Sequence, residues 1–164
     1  MMYPYSKRLL ASIRDYQAHA NRRGVRHKIL RKYASFRHLF WTVVTASDIN
    51  RHMRFGKDLT LPHPTGVVIH EDTVIGDNCM IMQQVTLGMT ADNAAPHIGN
   101  NVYVGAGAKI LGGVRIGDGA RIGAQAVVIS DVPAHSTAVG IPARIIRRSP
   151  NAANNSSETN APLS

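Results

Sequence analysis

The sequence predicts a mainly β chain: a parallel β-helix of six-residue repeats preceded by a short α-helical segment. Three observations carry that expectation. Residues 98–133 read in sixes, IGNNVY, VGAGAK, ILGGVR, IGDGAR, IGAQAV and VISDVP, each opening on Ile or Val. The same rhythm, twice interrupted, runs back to residue 48. Finally, ten of the Lys and Arg residues and only one acid, Asp15, stand in residues 1–47, while the remaining nine bases and nine acids balance over 48–164.

The period decides the architecture. Six residues match neither a helix at 3.6 nor an alternating strand, but they are a known repeat of parallel β-helices. Each block makes one short strand and a corner, and three blocks close a triangular coil whose layers stack at about 4.8 Å. The branched first residue fills the narrow interior. The fifth place is always small (Val102, Ala108, Val114, Ala120, Ala126 and Val132) and is expected to face inward as well. Gly after the aliphatic suits a corner with close backbone approach.

Upstream, first positions recur at Ile49, Phe55, Leu61 and Val67, slip by two, and resume at Ile69, Ile75, Ile81 and Leu87. The slip falls in LPHPTGVV, around His63. A second break separates Leu87 from Ile98, so GMTADNAAPH must loop out of the coil. Loops leaving a rigid scaffold are where sites are usually built.

Residues 1–47 predict two helices. Ser6 is the expected cap of the first, which carries Leu9, Leu10, Ile13 and Tyr16 and ends by Gly24. The second spans about 25–46, with Val25, Ile29, Tyr33, Phe36, Phe40 and Val43/Val44 on one face and the bases opposite. The plain expectation packs this apolar stripe on the β-helix or on a neighbouring subunit. The sharper one is peripheral contact with an anionic membrane. Nucleic acid is disfavoured, because no reading motif accompanies the charge.

The domain reading is therefore 1–47 basic and helical, 48–147 β-helix, and 148–164 a polar tail expected to be disordered. The lone Cys79 excludes an internal disulfide and, at a small inward position, reads as structural. No run is long and apolar enough to span a membrane, and no signal-peptide core opens the chain, so the expected location is cytoplasmic, with the inner membrane face as the peripheral site.

LPHPTGVVI, QQVTLG, VGAGAKILGGVRIGDGARIGA and DVPAHSTAVGIPARI together resemble the serine acetyltransferase branch of the hexapeptide-repeat acyltransferases, over about residues 48–147. The resemblance implies a left-handed β-helix, a homotrimer, and acetyl-CoA as co-substrate in the cleft between subunits, with no metal. It also makes His63 the general base, matched to the task by the ordinary imidazole pKa near 6.5. Asp48, fifteen residues earlier, takes the orienting place. Thr90, Ala106 and Ala124 match cofactor-cleft positions, and Arg144 with Arg121 or Arg147 suits the CoA phosphates.

Two departures bear on the acceptor. Pro62 stands where the family commonly has Asp, and Ala95 where it has a second active-site His; His97, two residues on, is the nearest substitute. Both missing groups serve to hold a charged amino acid. The expected acceptor is therefore a hydroxyl of a sugar or polysaccharide precursor, as in the short polysaccharide-pathway acetyltransferases, with serine as the alternative. A zinc enzyme of the carbonic-anhydrase type and a non-catalytic β-helix are the remote alternatives; His52, His63, His70, His97 and His135 show no spacing typical of that zinc site.

Overall fold

The computed structural model describes residues 4–91 and 93–146. Arg147 and the 148–164 tail expected to be disordered lie outside the described residues. Two helices, α1 (Pro4–Ala20) and α2 (Val25–Thr45), precede fourteen short strands that wind into a three-faced solenoid.

The first face stacks β1 (Asp48–Ile49), β3 (Val68–Ile69), β6 (Thr86–Gly88), β9 (Lys109–Leu111) and β12 (Val127–Val128). The second stacks β2 (Arg54–Phe55), β4 (Val74–Ile75), β7 (His97–Ile98) and β10 (Arg115–Ile116). The third stacks β5 (Met80–Ile81), β8 (Tyr103–Val104), β11 (Arg121–Ile122) and β13 (Thr137–Val139), and β14 (Arg144–Ile146) closes it as an antiparallel edge. All other pairings between these strands are parallel.

Register on the first face measures each coil. Val68 pairs with Thr86 and Lys109 with Val127, so a regular coil takes 18 residues. Asp48 pairs with Val68, a coil of 20, and Thr86 with Lys109, a coil of 23. The two interruptions in the sequence are thus a two-residue and a five-residue insertion. The first lies between the bridge at Thr60 and β3, the second between β6 and β7.

The interior follows the sixfold rule. Every first position from Ile69 to Val128 is buried, and so are the small fifth positions, Thr73 and Cys79 among them. Phe55 departs from the rule: it is only half buried, because its coil is the solenoid's open end and Arg14 of α1 lies over its ring at 4.9 Å. Leu9, Leu10 and Ile13 of α1 join the core there. Arg14 donates to the Gly56 carbonyl, and Gln17 to those of Arg51 and Met53. α1 is therefore a lid on the first coil.

Two helix expectations need correction. Ser6 does not cap α1; it lies inside the helix and is buried, with Pro4 in the first turn, where its missing N–H costs nothing. The apolar stripe of α2 does not pack on the β-helix of its own chain. α2 turns Ala34, half-buried His38 and Trp41 inward instead, and its Arg31 and Arg37 bind α1 at the Ala20 carbonyl and Asp15. α1 already covers the open coil, so α2 packs on α1 by its mixed face and leaves its apolar one outside.

Candidate active site at one edge of the solenoid

The corners between the third and first faces form one continuous edge. Its top corner is the two-residue insertion, where His63 stands exposed between half-buried Pro62 and buried Pro64. The next corners down hold Gln83 and Gln84, then Ala106 and Gly107, then Ala124 and Gln125. Backbone bonds stitch them together: Gln84 N–H to Thr65 O at 3.0 Å, Gly107 N–H to Gln83 O at 2.9 Å, and Gln125 N–H to Ala106 O at 2.8 Å. At the end of the edge Arg144 pairs with Val139 and is exposed. His63, Ala106, Ala124 and Arg144 therefore lie along one line, at about 4.8 Å per coil.

This edge is narrow for a steric reason. A Cβ on Gly105 would sit 2.6 Å from the Ala124 backbone nitrogen, and one on Gly107, whose φ is +72°, 2.5 Å from Gln125. Only glycine at these two positions allows the coils to stack so closely. The Gln83 side-chain oxygen, between the His63 and Ala106 corners, is buried with no hydrogen-bond partner among the described residues. The sequence reading passed Gln83 over, since one Gln in a repeat carries no signal of its corner.

Asp48 begins β1 directly above Val68. The junction behind it is tightly built: Ala46 is left-handed and ends α2, Thr45 and Ser47 hydroxyls share a buried 2.8 Å bond, and Gly66 N–H reaches the Ala46 carbonyl at 2.7 Å. Asp48 N–H donates to Val67 O at 2.8 Å. The insertion carrying His63 is thereby clamped against the end of α2. Tyr5, Val44, Thr45 and Thr65 line a hollow with His63, whereas Asp48 lines two neighbouring hollows, one with Asn50, His70 and Glu71, the other with His38 and Arg51.

His38 is a second residue absent from the sequence reading. Its Nε2 lies 2.9 Å from the Ile49 carbonyl, and burial, with the Arg51 charge, lowers its pKa from the ordinary value against the opposing pull of that carbonyl and Asp48. Helical periodicity alone marks it as one more polar residue among bases.

The remaining predicted residues sit elsewhere. Thr90 belongs to the five-residue insertion, at the opposite border of the first face, whereas exposed His97, expected inside that loop, opens β7 just beyond it and pairs with Val74 and Arg115. That loop folds onto the Gly112–Gly113 corner, where an added Cβ would meet Thr90 Oγ1 at 2.9 Å or Ala94 Cβ at 2.7 Å. Ala95 is buried within it. Arg121 opens β11 on the third face and lies over the Tyr103 ring at 4.8 Å. One protomer thus carries His63 with Ala106, Ala124 and Arg144 on one edge, and Thr90 with His97 on another. Cys79 is buried, its thiol donating to Gly99 O at 3.1 Å and its pKa raised by burial, as a structural cysteine requires.

Comparison with known proteins agrees with this architecture. Residues 95–130 match the bacterial transferase hexapeptide family (six repeats). A serine acetyltransferase of Synechococcus elongatus is 47% identical over 110 residues, 65% of this chain and 45% of that protein. Among solved structures, a serine acetyltransferase in complex with CoA superposes with a TM-score of 0.73 at 34% identity, over 88% of this chain and 58% of that one. The soybean serine acetyltransferase apoenzyme superposes at 0.66 with 36% identity, over 85% and 69%. The chain spans about half the length of the curated relatives it matches.

Proposed function

From the premise that this chain belongs to the serine acetyltransferase-like branch of the hexapeptide-repeat acyltransferases, we propose that it moves an acetyl group from acetyl-CoA to a hydroxyl. The observation that carries the proposal is the single edge shared by His63, Ala106, Ala124 and Arg144. The alanine corners leave room for the pantetheine arm, Arg144 meets the phosphates, and His63 waits at the far end, where the thioester arrives.

In the reaction, the neutral His63 imidazole takes the acceptor's hydroxyl proton as its oxygen attacks the thioester carbon. The tetrahedral intermediate expels the CoA thiolate, which recovers that proton from the imidazolium. Asp48, on the strand that starts at the junction clamping the His63 insertion, takes the orienting role. The active assembly is a homotrimer: Thr90 and His97 lie on the opposite border of the face, so they reach a His63 site only from a neighbouring subunit.

For the acceptor, the relatives named above favour L-serine, since they are serine acetyltransferases. The sugar acceptor expected from the sequence is the less supported reading. It stays in play on one observation: Pro62 and buried Ala95 supply no polar side chain for an ammonium or carboxylate. The test is release of the CoA thiol from acetyl-CoA with L-serine, then with sugars and sugar lipids. Turnover on serine at low millimolar concentration supports the first reading; turnover on a sugar alone replaces it with the second; no release with any acceptor rejects acetyl transfer.

A further inference from the structure

We propose that the outward face of α2 is a docking surface for an anionic lipid bilayer, on which the helix lies flat. Val25, Ile29, Tyr33, Phe36, Phe40 and Val43 recur every three or four residues, so they form one stripe along the whole helix. Every one of them is at least half exposed, and Val25 and Val43 exceed 70%. A contiguous apolar stripe running the length of an exposed helix marks an interaction site. Neither α1 nor the solenoid uses it.

Charge names the occupant. α2 carries five Lys and Arg residues and no acid. Helical spacing sets Lys28 and Lys32 on one border of the stripe and Arg26 and Arg37 on the other. The only acid of residues 1–47, Asp15, is bound to Arg37 at 2.7 Å. An apolar stripe edged by bases fits a surface that is greasy inside and negative at its rim, which is a bilayer with anionic headgroups. A second copy of the same face would set two acid-free basic helices against each other. No helix among the described residues is long and apolar enough to cross the membrane, so the contact is peripheral. Val44, at the end of the stripe, also walls the His63 hollow, and docking would hold that hollow near the lipid surface. The lipid contact itself does not depend on the transfer reaction.

The test is sedimentation of the full chain with phosphatidylcholine vesicles containing phosphatidylglycerol, and with pure phosphatidylcholine, at low and high salt. Three proteins are compared: the unaltered chain, Ile29→Ser/Phe36→Ser/Val43→Ser, and Lys28→Glu/Lys32→Glu. The expected result is binding to the anionic vesicles that falls with salt and weakens about tenfold or more in both variants. Assembly mass and CoA-thiol release on a water-soluble acceptor should stay unchanged, which separates this contact from the catalytic reading. Failure to bind anionic vesicles at low salt, equal binding by the serine variant, or a fall in its assembly mass would each overturn the proposal, the last by assigning the stripe to a neighbouring subunit.

Discussion

The regular coils and the interrupted coils of this solenoid are built from the same repeat and serve different ends. The coil from β9 to β12 keeps the regular 18-residue register, with Ile110, Val114, Ile116, Ala120, Ile122 and Ala126 filling its interior. The coil from β1 to β3 has two residues too many, and the one from β6 to β9 has five. Each excess is pushed outward, because a column packed with Ile, Val and Ala has no room for it. His63 stands in the first excess and Thr90 in the second, with His97 opening the strand that follows it. A rigid repeat thus fixes position, and its two interruptions are where the chain leaves the column.

That contrast predicts activity loss without stability loss in the interruptions, and the reverse in the regular coils. The largest effect is expected from His63→Ala: thiol release should fall about 10²- to 10⁴-fold, with the thermal midpoint and assembly mass unchanged. Full activity in that variant would remove His63 as the base. Next, Ile110→Ala in a regular coil should cost about 2–5 kcal/mol in a denaturant titration, while specific activity per folded protein holds. Overfilling the same column, Ala120→Leu, should cost about 1–3 kcal/mol; a neutral result would mean the interior is looser than its buried alanines indicate.

The smallest effect concerns the junction beneath α2. Burial, with the Arg51 charge, holds the His38 imidazole below its ordinary pKa, so as pH falls the unfolded chain takes up the proton first. The stability held by the neutral ring is complete above about pH 6.5 and declines as pH drops toward the folded value. His27, lowered by desolvation and then by His19, adds in the same sense. His38→Gln should flatten part of the decline in unfolding free energy between pH 7 and 5. An unchanged slope would assign it elsewhere.

Much of this was legible from residues alone, and for particular reasons. The first-position aliphatics and small fifth positions announce a column because inward direction repeats locally, every six residues. LPHPTGVV and GMTADNAAPH announce defects because they break that count. His38 and Gln83 were not legible: each is a single polar residue whose meaning depends on what stacks beside it. Ser6 read as a cap from its type, but the helix begins before it.

By itself, the sequence determined the period, the interior ladder, the two places where the coil must bulge, and the charge division at residue 47. Only the tertiary structure decided that His63, Ala106, Ala124 and Arg144 share an edge while Thr90 and His97 lie on another. It alone turned the apolar stripe of α2 outward. The physical reason is the same in both cases. A periodic pattern reports which side of the backbone avoids water, a local property. Which corners stack, and which face of a helix finds a partner, depend on coil closure and on the surface α1 has already covered.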